Sequence, residues 1–284
     1  MKVALLGLGT MGMGMAGRLL GAGFPLAVFN RTARKAEALA SKGARVAASP
    51  RDAATGADVI VSMVADDVAS RGMWLGHNGA LAGAKDGAVL VESSTLSTPW
   101  VSELSGAASK RGCELLDTPV TGSKMQAAAG ELIFLVGGSA QALERARPVL
   151  SAMSKAITHV GPSGSGTLLK LINNFLCGIQ AAALGEALAL IEKGGLNREK
   201  ATEVLTTGAP GSPLMKTLLS RLATGVDSPN FRLQLMTKDL AYSLREAEAR
   251  HVPVPIASAA HRVFEAAVRA GSGDMDFAAI AKPA

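Results

Sequence analysis

Two short stretches carry residue types whose spacing could do chemistry. The first, Gly7-Leu8-Gly9-Thr10-Met11-Gly12, has the spacing G-x-G-x-x-G. It follows an apolar run and opens a helix-like one. In that setting the glycines allow a tight turn and close approach to a pyrophosphate, and the helix N-terminus adds N–H donors and partial positive charge. A plain glycine-rich turn is the bland alternative, and its place directly after the first apolar run counts against it. The second stretch, Gly166-Thr167-Leu168-Leu169-Lys170-Leu171-Ile172-Asn173-Asn174, puts Lys170 and Asn174 at i and i+4 on one helical face. A lysine and an asparagine in an otherwise apolar helix are costly to bury without a task. Lys170 can act as a general acid that protonates a carbonyl oxygen as hydride arrives, its pKa drawn down by partial burial. It can equally be an interfacial lysine whose ammonium reaches water. Spacing alone leaves both readings open.

The end of the second apolar run distinguishes two cofactors. An acid there would grip the ribose 2′-hydroxyl of NAD. The chain instead reads Val28-Phe29-Asn30-Arg31-Thr32. The planar fork of Arg31 suits a 2′-phosphate, with Asn30 and Thr32 able to add hydrogen bonds. The expected cofactor is therefore NADP(H) rather than NAD(H), the alternative being a solvent-facing arginine at a strand end.

The elements that must position these residues follow from the rhythm of the chain. Val3 to Leu6, Leu26 to Phe29, Val59 to Met63 and Val89 to Glu92 read as buried strands, continued by Leu115 to Asp117, Ile133 to Val136 and Ile157 to Val160. Helical segments lie between them, among them Gly12 to Ala22, Ala33 to Lys42 and Pro99 to Arg111. The alternation predicts βαβ units and a largely parallel sheet with helices on both faces. After the Gly161-Pro162-Ser163-Gly164-Ser165-Gly166 cluster the strand signals stop. Helices are then expected from near Gly166, over Arg198 to Thr207, Leu214 to Thr224, Leu233 to Ala249 and Pro255 to Ala270. The fold class is α/β: a Rossmann-type, doubly wound domain over 1–163 and an all-helical domain over 164–284, joined by a long helix.

Composition excludes several function classes. The 284 residues are 48% hydrophobic and 18% charged, the profile of a globular chain with real cores. The net charge of +6 (29 basic against 23 acidic residues) is mild and scattered, unlike the basic stripe that nucleic acid requires. Cys113 and Cys177 are far apart, without redox or metal spacing, so a reducing cytoplasm is expected. The segment from Met1 to Gly7 is too short in its apolar run for a signal peptide and reads as a strand. Gly166 to Ile191 is apolar enough to raise a membrane span, but it holds Lys170, Asn173, Asn174, Gln180 and Glu186, so a buried helix is expected. His77, His159, His251 and His261 lack metal-like spacing, and Met11, Met13 and Met15 read as packing residues. No metal is expected.

Gly7 to Gly12, Ser93-Ser94-Thr95, Asp117-Thr118-Pro119-Val120-Thr121-Gly122, Gly164 to Asn174 and Lys238-Asp239-Leu240 fall in order along nearly the whole chain. Together they resemble the β-hydroxyacid dehydrogenase family, which includes 3-hydroxyisobutyrate dehydrogenase, tartronate semialdehyde reductase and the glyoxylate/succinic semialdehyde reductases. The resemblance implies a nicotinamide-dependent interconversion of a small carboxylate-bearing aldehyde or ketone with its hydroxy acid, in a cleft between a Rossmann-type and a helical domain. It also implies that Lys170 is the catalytic lysine, with Asn174 orienting the substrate. Thr95, Met63 and Val64 would lie along the cofactor, and Lys238 would close over it with Asp239 beside the substrate. Phe231 would set an aromatic ring against the substrate.

The substrate loop departs from the commonest family pattern, a serine followed by two glycines. Here it reads Thr121-Gly122-Ser123-Lys124. Thr121 keeps a hydroxyl for a substrate carboxylate. The Gly-Ser-Lys run resembles the glyoxylate/succinic semialdehyde branch, which uses NADPH and agrees with Arg31. Lys124 can attract a carboxylate or be a solvated loop lysine, and both readings stay open. Imine reductases share the scaffold but generally lack the lysine. Non-catalytic relatives have lost it too, and a 6-phosphogluconate-type decarboxylase would want a longer helical domain. The resemblance further implies a homodimer or homotetramer, and the apolar long helix suits such an assembly.

Overall fold

A strand covered on both faces must be apolar at every position, and the first strand shows this. In the computed structural model, which describes residues 1–225 and 229–282, β1 (Val3–Leu6) is buried throughout. Val3 and Leu5 join one core while Ala4 and Leu6 join the other. β4 (Val59–Ser62) and β5 (Val89–Glu92) divide the same way: Val59, Val61, Val89 and Val91 face the first core, Ile60 and Leu90 the second. Such strands belong inside a parallel sheet whose crossover helices cover both sides.

Among the described residues, nine strands form one sheet. With β2 (Leu26–Phe29), β3 (Arg45–Val46) and β6 (Glu114–Asp117), the parallel part runs β3-β2-β1-β4-β5-β6. Beyond it, β8 (Leu132–Gly137) runs antiparallel to β6 and to β7 (Val120–Thr121), while β9 (Ser154–Gly161) pairs with β8 in parallel. The helices between the strands are α1 (Gly12–Gly21), α2 (Ala33–Ala40), α3 (Pro50–Ala54), α4 (Asp67–Leu75), α5 (Ala80–Gly83), α6 (Thr98–Lys110), α7 (Lys124–Ala129) and α8 (Ala140–Ser151), of which α7 links the antiparallel pair β7 and β8. This order is that of a dinucleotide-binding sheet, with its switch point between β1 and β4. The anticipated strand at Val59 ends one residue early, at Ser62, because Met63 has already turned into the loop.

The chain divides into two compact units, Met1–Lys170 and Leu171–Ala284. α9 (Ser165–Lys193) starts at the end of the first and continues into the second. The second unit adds α10 (Arg198–Thr207), α11 (Pro213–Thr224), α12 (Leu233–Ala249) and α13 (Pro255–Ala267) around a core that includes Leu184, Leu188, Leu218, Met236 and Phe264. The last helix was expected to reach Ala270. It gives way after Ala267 to a π-turn over Val268–Ser272, where Gly271 takes a positive φ that ends the helical run. By length and composition α9 could cross a membrane. Its Ala181, Leu184, Leu188 and Ile191 instead pack into the helical core.

Candidate functional site

The C-terminal ends of the parallel strands form a single row. Phe29, Leu6, Ser62, Glu92 and Asp117 are register partners in turn across β2, β1, β4, β5 and β6. The next residue of each strand keeps the ladder going: Gly7 N–H donates to Phe29 O, Met63 N–H to Leu6 O, Ser93 N–H to Ser62 O and Thr118 N–H to Glu92 O. The loops holding Gly7, Asn30, Met63, Thr95 and Thr121 therefore leave one edge of one sheet. In open α/β sheets that edge is where ligands bind.

The phosphate loop fits a dinucleotide on two counts. Gly7 has φ +96°, and a Cβ there would lie 2.3 Å from Met63 O; at Gly12 it would lie 2.0 Å from Gly7 O. Those two glycines are demanded by the protein itself. Gly9 is different, since a Cβ there would meet nothing within 4 Å, so its smallness leaves room for a ligand. The N-terminus of α1 also has no side-chain cap, as at α2 and α5, whereas Ser49, Asp66, Ser97 and Ser139 cap α3, α4, α6 and α8. An anion would supply what that helix end lacks. Leu8 and Met11 line the same loop, Leu8 buried in the core and Thr10 exposed.

Asn30 has a task inside the protein. Its Oδ1 accepts Leu8 N–H at 2.9 Å and its Nδ2 donates to Thr32 O at 3.0 Å, which ties the phosphate loop to the end of β2. Arg31 and Thr32 are exposed beside it. Met63 and Val64 are half-buried, and Val64 N–H donates to Ser94 Oγ at 2.8 Å. Thr95 follows Ser94, also half-buried.

Glu92 anchors these loops, and it was not singled out from the sequence. Its Oε2 accepts from Ser70 Oγ at 2.6 Å and from Trp74 Nε1 at 2.7 Å; its Oε1 accepts Ser94 N–H at 2.9 Å. Trp100 Nε1 donates in turn to Ser70 Oγ at 2.9 Å. Burial pushes this carboxyl above the usual carboxylate range, opposed by the donors from Ser70, Ser94 and Trp74. An acid closing a wholly apolar strand was the available signal. Asp117, one strand over, is completely buried and is likewise raised by burial.

The substrate-loop residues sit at β7 and the start of α7. Thr121 is half-buried and pairs with Ile133, and Gly122 takes φ +118°. The backbone N–H and hydroxyl of Ser123 both donate to Gln126 Oε1, at 2.9 and 2.6 Å, so its side chain is engaged in starting α7. Lys124 is the first residue of that helix and half-buried.

In the second unit, Asn174, Lys238 and Asp239 come together. Asn174 Nδ2 donates to Asp239 Oδ2 at 2.6 Å, and Asn173 Nδ2 donates to Asn174 Oδ1 at 2.9 Å. Lys238 Nζ lies 2.9 Å from Asp239 Oδ1 and 4.7 Å from the centre of the Tyr242 ring. Asn174 and Asp239 are 4% and 1% exposed, so this is a buried, charge-assisted network. Close approach of α9 and α12 depends on Gly178, where a Cβ would lie 2.9 Å from Leu240 Cδ2. Phe231 packs edge-on against Phe277 with centroids 5.7 Å apart. Asp276, also missed in the sequence, fixes it there: its Oδ2 accepts Asn230 N–H at 2.8 Å and Phe231 N–H at 3.4 Å, while Arg221 Nη1 lies 3.2 Å from Oδ1. Lys170 is half-buried on α9, one turn before Asn174.

Comparison with known proteins agrees with this arrangement. Residues 2–161 match the NAD binding domain of 6-phosphogluconate dehydrogenase. Residues 164–284 match the model for the NAD-binding region of NADP-dependent 3-hydroxyisobutyrate dehydrogenase. The chain is 35% identical to NAD-dependent L-serine dehydrogenase of Pseudomonas aeruginosa, over 99% of this chain and 97% of that one. It is 33% identical to the chloroplastic glyoxylate/succinic semialdehyde reductase 2 of Arabidopsis thaliana, over 98% of this chain and 78% of that one. The solved structure of Mycobacterium tuberculosis 3-hydroxyisobutyrate dehydrogenase with L-serine superposes with a TM-score of 0.90 at 32% identity, covering 99% of this chain and 97% of that one.

Proposed function

Since the chain belongs to the β-hydroxyacid dehydrogenase family, we propose that it reduces a small carboxylate-bearing aldehyde, of the glyoxylate or succinic semialdehyde type, to the hydroxy acid with NADPH. As a member of that family it is a nicotinamide-dependent oxidoreductase acting on CH–OH groups. The observation that carries the proposal is Lys170 on α9, one turn before an asparagine whose amide is held by a buried carboxylate.

The bound reduced nicotinamide supplies the hydride. Gly7, Leu8, Gly9, Thr10, Met11 and Gly12 would hold its pyrophosphate, and Met63, Val64 and Thr95 would lie along it. Lys170 delivers a proton to the carbonyl oxygen as negative charge grows there, and takes it back in the oxidative direction. Asp239 commits one N–H of Asn174, which leaves the second to orient a substrate oxygen. Lys238 closes over the cofactor, its ammonium steadied by Asp239. Thr121 and Gly122 receive the substrate carboxylate, Ser123 holds their loop through its two hydrogen bonds to Gln126, and Phe231 bounds the pocket. Arg31 selects the 2′-phosphate, because Asn30 is turned inward and no acid closes β2. A relative named for NAD and L-serine supports a second reading, NAD-linked oxidation of a β-hydroxy acid.

Leu169, Ile172, Leu176 and Leu190 expose apolar side chains along α9, and we assign that stripe to a homodimer or homotetramer contact. Both cysteines are free thiols, which suits a cytoplasmic enzyme.

The test is to follow reduced-nicotinamide absorbance with NADPH or NADH against glyoxylate, succinic, tartronate and methylmalonate semialdehydes, with L-serine and NAD in the reverse direction. Lys170→Ala should lower kcat by about 10²- to 10⁴-fold. Arg31→Ala should raise KM for NADPH about tenfold and leave that for NADH unchanged. A preference for NADH overturns the role of Arg31. An unimpaired Lys170 variant overturns the role of the lysine.

A further inference from the structure

An α-helix ordinarily receives its first cap from its own N-cap side chain, which accepts the N–H three residues on. α9 cannot do this. The carbonyl of Gly164 accepts Leu168 N–H at 2.9 Å, which makes Gly164 the N-cap, and Gly164 has no side chain. The cap comes from a distant strand instead. Asp117, the last residue of β6, accepts Thr167 N–H on Oδ2 at 2.8 Å and Gly164 N–H on Oδ1 at 2.7 Å. Its carboxyl is 0% exposed, and as an anion it meets the positive end of the helix dipole.

The surroundings are shaped to admit that carboxyl and hold the helix against the sheet. Gly137 is the antiparallel partner of Asp117, and a Cβ there would lie 2.4 Å from Asp117 Oδ1. At Gly166 a Cβ would lie 2.3 Å from Leu135 O and 2.6 Å from Asp117 O. The first turn of α9 is thus pressed onto β6 and β8 and pinned by one carboxylate at two amides. Lys170 is three residues beyond the pinned Thr167, so the height and rotation of its turn are set by that clamp.

We propose that Asp117 is the positioning residue for Lys170: a cap supplied across the sheet that aims the proton donor without touching substrate or cofactor. The proposal rests on Lys170 being the proton donor. Asp117→Asn is the closest change in shape, and it sets an amide NH₂ against one of the two N–H donors. The expected result is a fall in kcat of roughly 10- to 100-fold, while the Kd for NADPH, read by nicotinamide fluorescence, stays within about twofold. Amide exchange at Thr167 should quicken by about tenfold or more. Unchanged kcat with a deprotected Thr167 amide overturns the proposal. So does a Kd that weakens in parallel with kcat, which marks general loosening of the sheet edge.

Should the variant not fold, the unaltered enzyme still decides. Its Gly164 and Thr167 amides are expected to exchange as slowly as strand amides, and exchange as fast as the first turn of α10 overturns the clamp. Absence of turnover with every aldehyde in the unaltered enzyme defeats the reading of Lys170, and the positioning role with it. Failure of the clamp alone looks different, because the unaltered enzyme then turns over while its Gly164 and Thr167 amides exchange fast.

Discussion

Glu92 and Asp117 end neighbouring strands in the first unit; Asn174 and Asp239 face one another from two helices in the second. All four are buried polar groups, two of them beside predicted site residues and two themselves predicted, yet they are held by different means. Glu92 accepts the N–H of Ser94 two residues on, with the Ser70 and Trp74 side chains as further donors. Asp117 accepts the N–H groups of Gly164 and Thr167 at the start of α9, so each is held at least in part by backbone groups that the sheet places. A slip of one residue would displace every loop together. Asn174 and Asp239 depend on side chain meeting side chain, with helix spacing set by Gly178 against Leu240. No ladder enforces that meeting. The first kind of site depends on one carboxylate and on the backbone that meets it; the second depends on each of two side chains.

Four substitutions can break or sharpen that contrast. The largest effect is expected for Asp239→Ala, which strands Lys238 and Asn174. The loss in stability should be about 3 kcal/mol, at the low end for breaking a buried pair because Lys238 keeps some solvent, and chemical denaturation measures it. Gly9→Val should come next. Cofactor affinity should fall on the order of 100-fold as the side chain enters the space for pyrophosphate, with Tm unchanged because no protein atom is near. A drop in Tm instead would show that the loop is packed more tightly than its geometry indicates.

Glu92→Gln is expected to act mainly on pH dependence. Burial raises the Glu92 carboxyl in the folded state. Its contribution is therefore fully present below the ordinary carboxylate value and is lost as pH rises through the folded value. Each tenfold change in proton affinity is worth about 1.4 kcal/mol. Calorimetry carried upward in pH from the ordinary carboxylate range should show the wild-type Tm declining until the folded value is passed, and a flatter profile in the variant. The smallest effect belongs to Lys85→Ala. The side-chain hydrogen bond from Lys85 holds the Asp58 carboxyl below its usual range, so that contribution is present above the ordinary value and fades in acid. Both partners are largely solvated, and a change above about 1 kcal/mol would contradict the surface reading.

The two regions also differ in how far they were legible in the sequence. The phosphate loop, the strands at Val3, Leu26 and Val89 and the long helix could be read because local spacing specifies them. β3 and β7, two residues each, fall below any readable period, and α8 was not separated from its flanks, with Pro148 inside it. Lys170 and Asn174 stood out as polar residues on an apolar helix. What holds them did not: Asp239 lies 65 residues from Asn174, and Asp117 lies 50 from Thr167. Such pairings arise only when the chain is folded. Asn30 shows the converse, since its position was readable but its inward hydrogen bond to Leu8 was not.

The cluster around Glu92 has one more consequence, an optical one. The chain holds two tryptophans and one tyrosine. Trp74 and Trp100 both belong to the first unit, 0% and 3% exposed, with their indole N–H groups tied to Glu92 and Ser70. Tyr242 belongs to the second unit. Indole emission therefore watches the nucleotide-binding unit alone, while backbone dichroism averages over both. If the two signals are lost at different denaturant concentrations, the units melt separately; if they coincide, the chain unfolds as one cooperative body.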